Sequence, residues 1–148
     1  MVCDVPVKEV MSAPPIAAPS STTVADAARL MKMYGVGSVI VLEDERPVGL
    51  FTDRELVWVV ATIGCEGLEH PISRYAMRGF PVVRQDTCIV DAAKLITGMG
   101  TRHAIVVDEY GSLIGVVSLK DIALRLSRLN EGAGEKAGSA IASGRESS

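Results

Sequence analysis

The chain has 148 residues, 48% hydrophobic and 22% charged, which suits one folded domain with a sizeable core and excludes a disordered chain. The formal net charge of -3 disfavours nucleic acid as the main partner, since phosphate binding calls for a basic surface. No run approaches about eighteen consecutive apolar residues, so no membrane-spanning helix is expected, and MVCDVPVKEV has no basic-then-apolar signal region. The expected location is the cytoplasm.

The predicted elements, taken in chain order, come twice. Val24, Ala27, Ala28 and Met31 fall at i, i+3, i+4 and i+7, the spacing of an amphipathic helix. Thr22 or Thr23 can cap it, Asp26 suits its first turn, and Gly35 suits its exit. Ser38 to Leu42 is a buried strand, ERP at Glu45 to Pro47 a turn, and Val48 to Phe51 a returning strand. A second helix is expected from about Asp53 to Ile63. After a connection around Gly64 to Ser73 the pattern restarts, with a helix through Ile89, Ala92, Ala93 and Ile96. Strands at Ala104 to Val107 and Leu113 to Val117 flank a turn at Glu109 to Ser112, and a helix runs from Leu119 to Leu129.

Thr22 to Asp44 aligns on Thr87 to Glu109, with Asp-Ala-Ala, a basic residue and Leu coinciding at Asp26 and Asp91. Then VGLFTDREL aligns on IGVVSLKDI, and Val10-Met11 faces Ala76-Met77. Each unit reads strand, helix, strand, strand, helix. The expected fold is α+β, two β-α-β-β-α repeats packed with pseudo-two-fold symmetry, because one sheet with helices on one face leaves its other face bare. The divisions are 1–63 with an N-terminal arm, a linker at 64–73, 74–130, and a Gly, Ala and Ser-rich tail at 131–148, which reads as flexible by composition.

The cysteines, Cys3, Cys65 and Cys88, form no C-x-x-C pair, and no metal site is expected. At most one disulfide can form within a chain. Cys3, in the arm, is free to pair between chains, and Cys88 reads as a packing residue. The helix at Asp53 to Gly64 is apolar on most sides, with Leu56, Trp58, Val59, Val60 and Ile63, so it needs cover on more than one face, which a second copy in a homodimer or the other repeat alone would supply.

Two stretches can carry a site. In GVVSLKDI, Ser118 falls where a strand hands over to a helix N-terminus, which favours an anion, and Asp121 follows one turn in. A carboxylate can accept both hydroxyls of a ribose. Ser-x-x-Asp also has the form of a capping box, which needs no ligand. The first copy has Thr52-x-x-Glu55, and Glu is the better capping partner, so Asp121 is the better ligand candidate. No catalytic signature is present, and the chain is not expected to be an enzyme or to hold a catalytic cofactor.

The duplicated pattern, GLFTDREL, GVVSLKDI and RHAIVVDEYGSLIGVV at Arg102 to Val117 together resemble a tandem pair of CBS (cystathionine β-synthase) domains, a Bateman module, across about Val7 to Leu129. The resemblance implies a regulatory sensor of AMP, ADP or ATP, modulating a partner protein that the sequence does not name. The alternatives are an S-adenosylmethionine sensor and an interaction module with empty clefts. The family's G-h-h-[ST]-x-x-D run falls on Gly115, Ser118 and Asp121. It implies that Asp121 meets the ribose, that Ser118 with Lys120 meets the phosphate side, and that adenine lies against Pro14, Pro15, Ile16, Val36, Gly37 and Ser38. A second cleft would use Thr52, Arg54, Glu55, Phe80, Arg102, His103 and Ala104. There Glu55 departs from the motif's Asp.

Overall fold

The computed structural model describes residues 3–133. In the first repeat β1 is Ala17–Pro19, α1 Val24–Tyr34, β2 Ser38–Glu43, β3 Arg46–Thr52 and α2 Asp53–Thr62. In the second, β4 is Val82–Arg84, α3 Ile89–Gly98, β5 His103–Val107, β6 Leu113–Ser118 and α4 Leu119–Ala133. The fold is the expected α+β pair of repeats. Each repeat forms a three-stranded sheet whose first strand runs parallel to the second and whose second runs antiparallel to the third. The last helix extends past its expected end at Leu129. Of the tail expected at 131–148, residues 134–148 lie outside the described residues.

The apolar runs of the central strands reflect cover on both faces. Val39, Val41 and Phe51 join Val24, Ala27 and Met31 under the helices of the first repeat. Ala104, Val106 and Val117 do the same with Ile89, Ala92 and Ile96 in the second. Between them Ile40 and Leu50 of one sheet meet Ile105 and Val116 of the other, so the repeats join sheet to sheet. Thr23, not Thr22, caps α1, its Oγ1 accepting from the Asp26 N–H at 3.1 Å, and Gly35 closes the helix at φ 65°. The first hairpin turns one residue earlier than ERP implies. Asp44 and Glu45 take positive φ, as a two-residue hairpin requires, and Arg46 already pairs with Glu43.

Each repeat's core is completed by the segment that precedes the other repeat. The arm's short turn Val7–Glu9 buries Val7, with Val5 beside it, against the second repeat. The connection 64–73, read as a joining linker, folds into turns at Cys65–Glu69 and Ile72–Arg74 and buries Ile72 against the first. The backbone bonds repeat the exchange. The Ile89 N–H donates to the Val5 carbonyl at 3.0 Å, and the Val24 N–H to the His70 carbonyl at 2.9 Å. The arm is also fixed covalently, because Cys3 and Cys88 form a disulfide within the chain. This corrects both expectations: Cys3 does not pair between chains, and Cys88 is a cross-link as well as a packing residue. Cys65 is free and exposed.

The motif glycine has a steric role. Ser12 pairs with Val116, and a Cβ on Gly115 would lie 2.8 Å from the Ser12 carbonyl oxygen and 2.7 Å from the Met11 sulfur. Gly115→Val should therefore lower stability by about 1–3 kcal/mol or more by overpacking against backbone. Thermal denaturation checks this, and a melting temperature equal to wild type would contradict the close approach.

Candidate functional site

At one edge of the sheet-to-sheet junction lies a cavity of about 790 Å³. Every residue expected at the main cleft lines it: Pro14, Pro15, Ile16, Val36, Gly37, Ser38, Ser118, Lys120 and Asp121. The first repeat supplies the exit of α1, the start of β2 and the segment entering β1. The second supplies the N-terminus of α4. Apolar walls thus face a polar end, where backbone N–H groups of a helix start lack partners.

The two hydroxyl–carboxylate pairs differ in state. In the first repeat the capping box is closed. Glu55 Oε1 accepts from the Thr52 N–H at 2.8 Å and from Thr52 Oγ1 at 2.5 Å, while Thr52 Oγ1 accepts from the Arg54 N–H at 3.2 Å. In the second only half of it exists. Ser118 Oγ accepts from the Asp121 N–H at 3.1 Å, and the Asp121 carboxylate accepts no hydrogen bond among the described residues. The shorter aspartate leaves its oxygens at the cavity instead of folding back onto the cap.

The residues expected at a second cleft are placed otherwise. Arg102 and His103 line the same cavity as Ser118, a correction that follows from register, since His103 pairs directly with Ser118 across β5 and β6. Ala104 is fully buried beneath the second repeat's helices, and Phe80 packs on the sheet-to-sheet cluster. Arg54 donates from Nη1 to the Gly100 carbonyl at 2.9 Å, Glu55 is held by Thr52, and Thr52 is buried. Arg54 and Glu55 also border a separate depression with Trp58 and Tyr75 on the outer side of α2.

Sequence reasoning missed Asp53 and Tyr34, both of which line the cavity. Asp53 Oδ1 bonds to Arg102 Nη2 at 3.2 Å, joining the first repeat to the second. The signal for it was available: Asp53 follows the first copy's hydroxyl, where the second copy has Leu119. Among the described residues no group of His, Cys, Asp or Glu side chains is placed to hold a metal ion, and no helix is long and apolar enough to cross a membrane.

His103 is buried, and burial pulls its pKa below the usual histidine value. Asp53, Asp121 and Glu55 oppose the shift, and Arg102 adds to it. With the folded pKa lowered, the unfolded chain takes up the proton first as pH falls. Stability from a neutral His103 is complete above the unfolded value of about 6.5 and is lost as pH falls through the folded value. The melting temperature should drop on acidification below about pH 6.5, and His103→Gln should reduce that drop. Identical pH profiles for the two proteins would contradict this.

Residues 7–62 and 72–128 each match the CBS domain. The chain is 31% identical over 107 residues to an uncharacterized 17.7 kDa protein of Acidianus ambivalens, a match covering 72% of this chain and 63% of that one. The chain spans 53% to 63% of the length of three curated relatives. Its backbone resembles the CBS domain pair of protein MJ0100 in complex with 5′-methylthioadenosine and S-adenosyl-L-methionine (TM-score 0.73, 22% identity, 87% of this chain and 98% of that one). It also resembles CBSX2 in complex with AMP (TM-score 0.68, 23% identity, 84% and 98%). At these identities the structural likeness establishes the fold.

Proposed function

The chain belongs to the CBS domain family, and on that premise we propose that it is a regulatory module taking an adenine nucleotide, AMP, ADP or ATP, in the cavity between its repeats. The observation that carries the reading is the unengaged carboxylate of Asp121 beside the start of α4. A ribose offers two vicinal O–H donors, and an ionised carboxylate has two oxygens to accept them. Phosphate suits the helix start, with Lys120 and Arg102 as cations on the same cavity. Pro14, Pro15, Ile16 and Val36 offer apolar surface for a base. The volume of about 790 Å³ falls in the range of small-molecule sites. The adenosine compounds named for MJ0100 and CBSX2 support an adenosine-bearing ligand, and the AMP of CBSX2 a phosphate on it.

The ligand would touch residues 14–16 and 36–38 of one repeat and 118–121 of the other. Its affinity then depends on how the repeats sit, and binding favours one arrangement over another. That displacement is the signal passed to a partner protein. The closed Thr52–Glu55 box favours one site per chain over two. A homodimer fits the exposed apolar residues Val57, Trp58 and Val60 of α2 and Leu124, Leu126 and Leu129 of α4. A monomer mass in light scattering would remove that part of the proposal.

Thermal shift tests the whole reading. AMP, ADP or ATP at about a hundred times its dissociation constant should stabilise the protein by about 2.7 kcal/mol. Purified protein, denatured and analysed by mass spectrometry, should release a retained nucleotide if affinity is high. No shift with any of the three, and none retained, would contradict it.

A further inference from the structure

Asp53 carries a negative charge into a cavity proposed to hold phosphate, and this charge is particular to the first repeat, since Leu119 occupies the equivalent place in the second. Its Oδ1 holds Arg102 Nη2 at 3.2 Å across the junction between the repeats. Its Oδ2 points over Gly37, where a Cβ would lie 3.2 Å from both that oxygen and His103 Nε2. A Cβ there would be tight, so the carboxylate and the imidazole would each have to give by a few tenths of an ångström. The charged side chains lining the cavity are Arg102 and Lys120 against Asp53 and Asp121, so their formal charges cancel.

We infer that Asp53 is a specificity-determining residue: it limits how many phosphates the cavity accepts and favours AMP over ATP. The inference rests on the reading that a nucleotide occupies this cavity. If Asp121 meets the ribose, the charge left facing the phosphate is that of Asp53. The first phosphate, carrying about two negative charges, can take Arg102 from Asp53. Each further phosphate adds negative charge near an aspartate whose cation has already been taken, and beyond Arg102 and Lys120 no cationic side chain lines the cavity. Repulsion therefore grows with phosphate number, while the base and the ribose do not feel it.

The test is titration calorimetry of adenosine, AMP and ATP, without divalent cations, into wild type and Asp53→Asn. Wild type should bind AMP more tightly than ATP. Asp53→Asn should tighten ATP by about tenfold, the scale for removing a nearby unit charge in partly solvated surroundings. AMP should gain less, and adenosine should be unchanged. A wild type that prefers ATP, an AMP-to-ATP ratio untouched by the substitution, or a loss of adenosine affinity in the variant each overturns the inference. If adenosine and AMP still bind wild type in those cases, the nucleotide reading survives alone. If wild type binds none of the three, both fail.

Discussion

Asp121→Ala should weaken AMP or ATP binding by about ten- to a hundredfold and leave the fold intact. Hydrogen bonds to a charged group contribute about 1.5–3 kcal/mol, and each 1.4 kcal/mol is about tenfold in affinity. The cap of α4 does not depend on the lost group, because it is the Asp121 backbone N–H that donates to Ser118 Oγ. Stability should change only by the helix-dipole contribution of one carboxylate, about 0.3–1 kcal/mol. The same substitution in the other repeat should do the reverse. Glu55→Ala removes the acceptor for the Thr52 N–H and Oγ1 and should lower stability by about 1 kcal/mol with little change in affinity. Calorimetry and thermal melts on the two variants read both quantities. Wild-type affinity in Asp121→Ala would assign that carboxylate to the helix start alone.

Breaking the Cys3–Cys88 disulfide should lower stability by about 2–4 kcal/mol, roughly 6–12 °C in melting temperature for a chain of this size. The bond closes a loop between positions 85 apart, and a long loop loses much freedom in the unfolded chain when it is closed. Folding should nevertheless survive reduction. Val5 and Val7 bury themselves on the second repeat, and the Val7 N–H donates to the Thr87 carbonyl at 2.8 Å, with or without the cross-link. Cys3→Ser is the cleaner variant, since it leaves Cys88 Sγ to accept from the Val90 N–H at the start of α3. Native oxidised protein should titrate with one free thiol, that of Cys65. Three free thiols, or equal melting temperatures for oxidised and reduced protein, would contradict the cross-link.

The helices and the buried strands were legible because their signals are local. The 3.6-residue spacing at Val24, Ala27 and Met31 and the apolar run from Val39 to Val41 each describe a single element. The contrast between Glu55 and Asp121 was legible too, since side-chain length decides which carboxylate can fold back onto its cap. The exchange of segments between repeats was not. It rests on backbone pairing such as Ser12 with Val116, which any side chain but a crowding one permits, and Gly115 marks it only in retrospect. The disulfide depends on that exchange, so Cys3 had no visible partner. Arg102 and His103 were assigned to a second cleft, whereas they line the cavity with Ser118, because the register of β5 against β6, which brings His103 opposite Ser118, is a property of the folded hairpin. Asp53 was marked by its contrast with Leu119, but the partner that fixes its place, Arg102, lies 49 positions away in the other repeat.

Titration calorimetry of nucleotide-free wild type with AMP is the most direct measurement. Saturable binding with one site per chain is expected, together with a loss of about ten- to a hundredfold in Asp121→Ala. Absence of heat and of any thermal shift with AMP, ADP and ATP alike would contradict nucleotide binding in the cavity between the repeats.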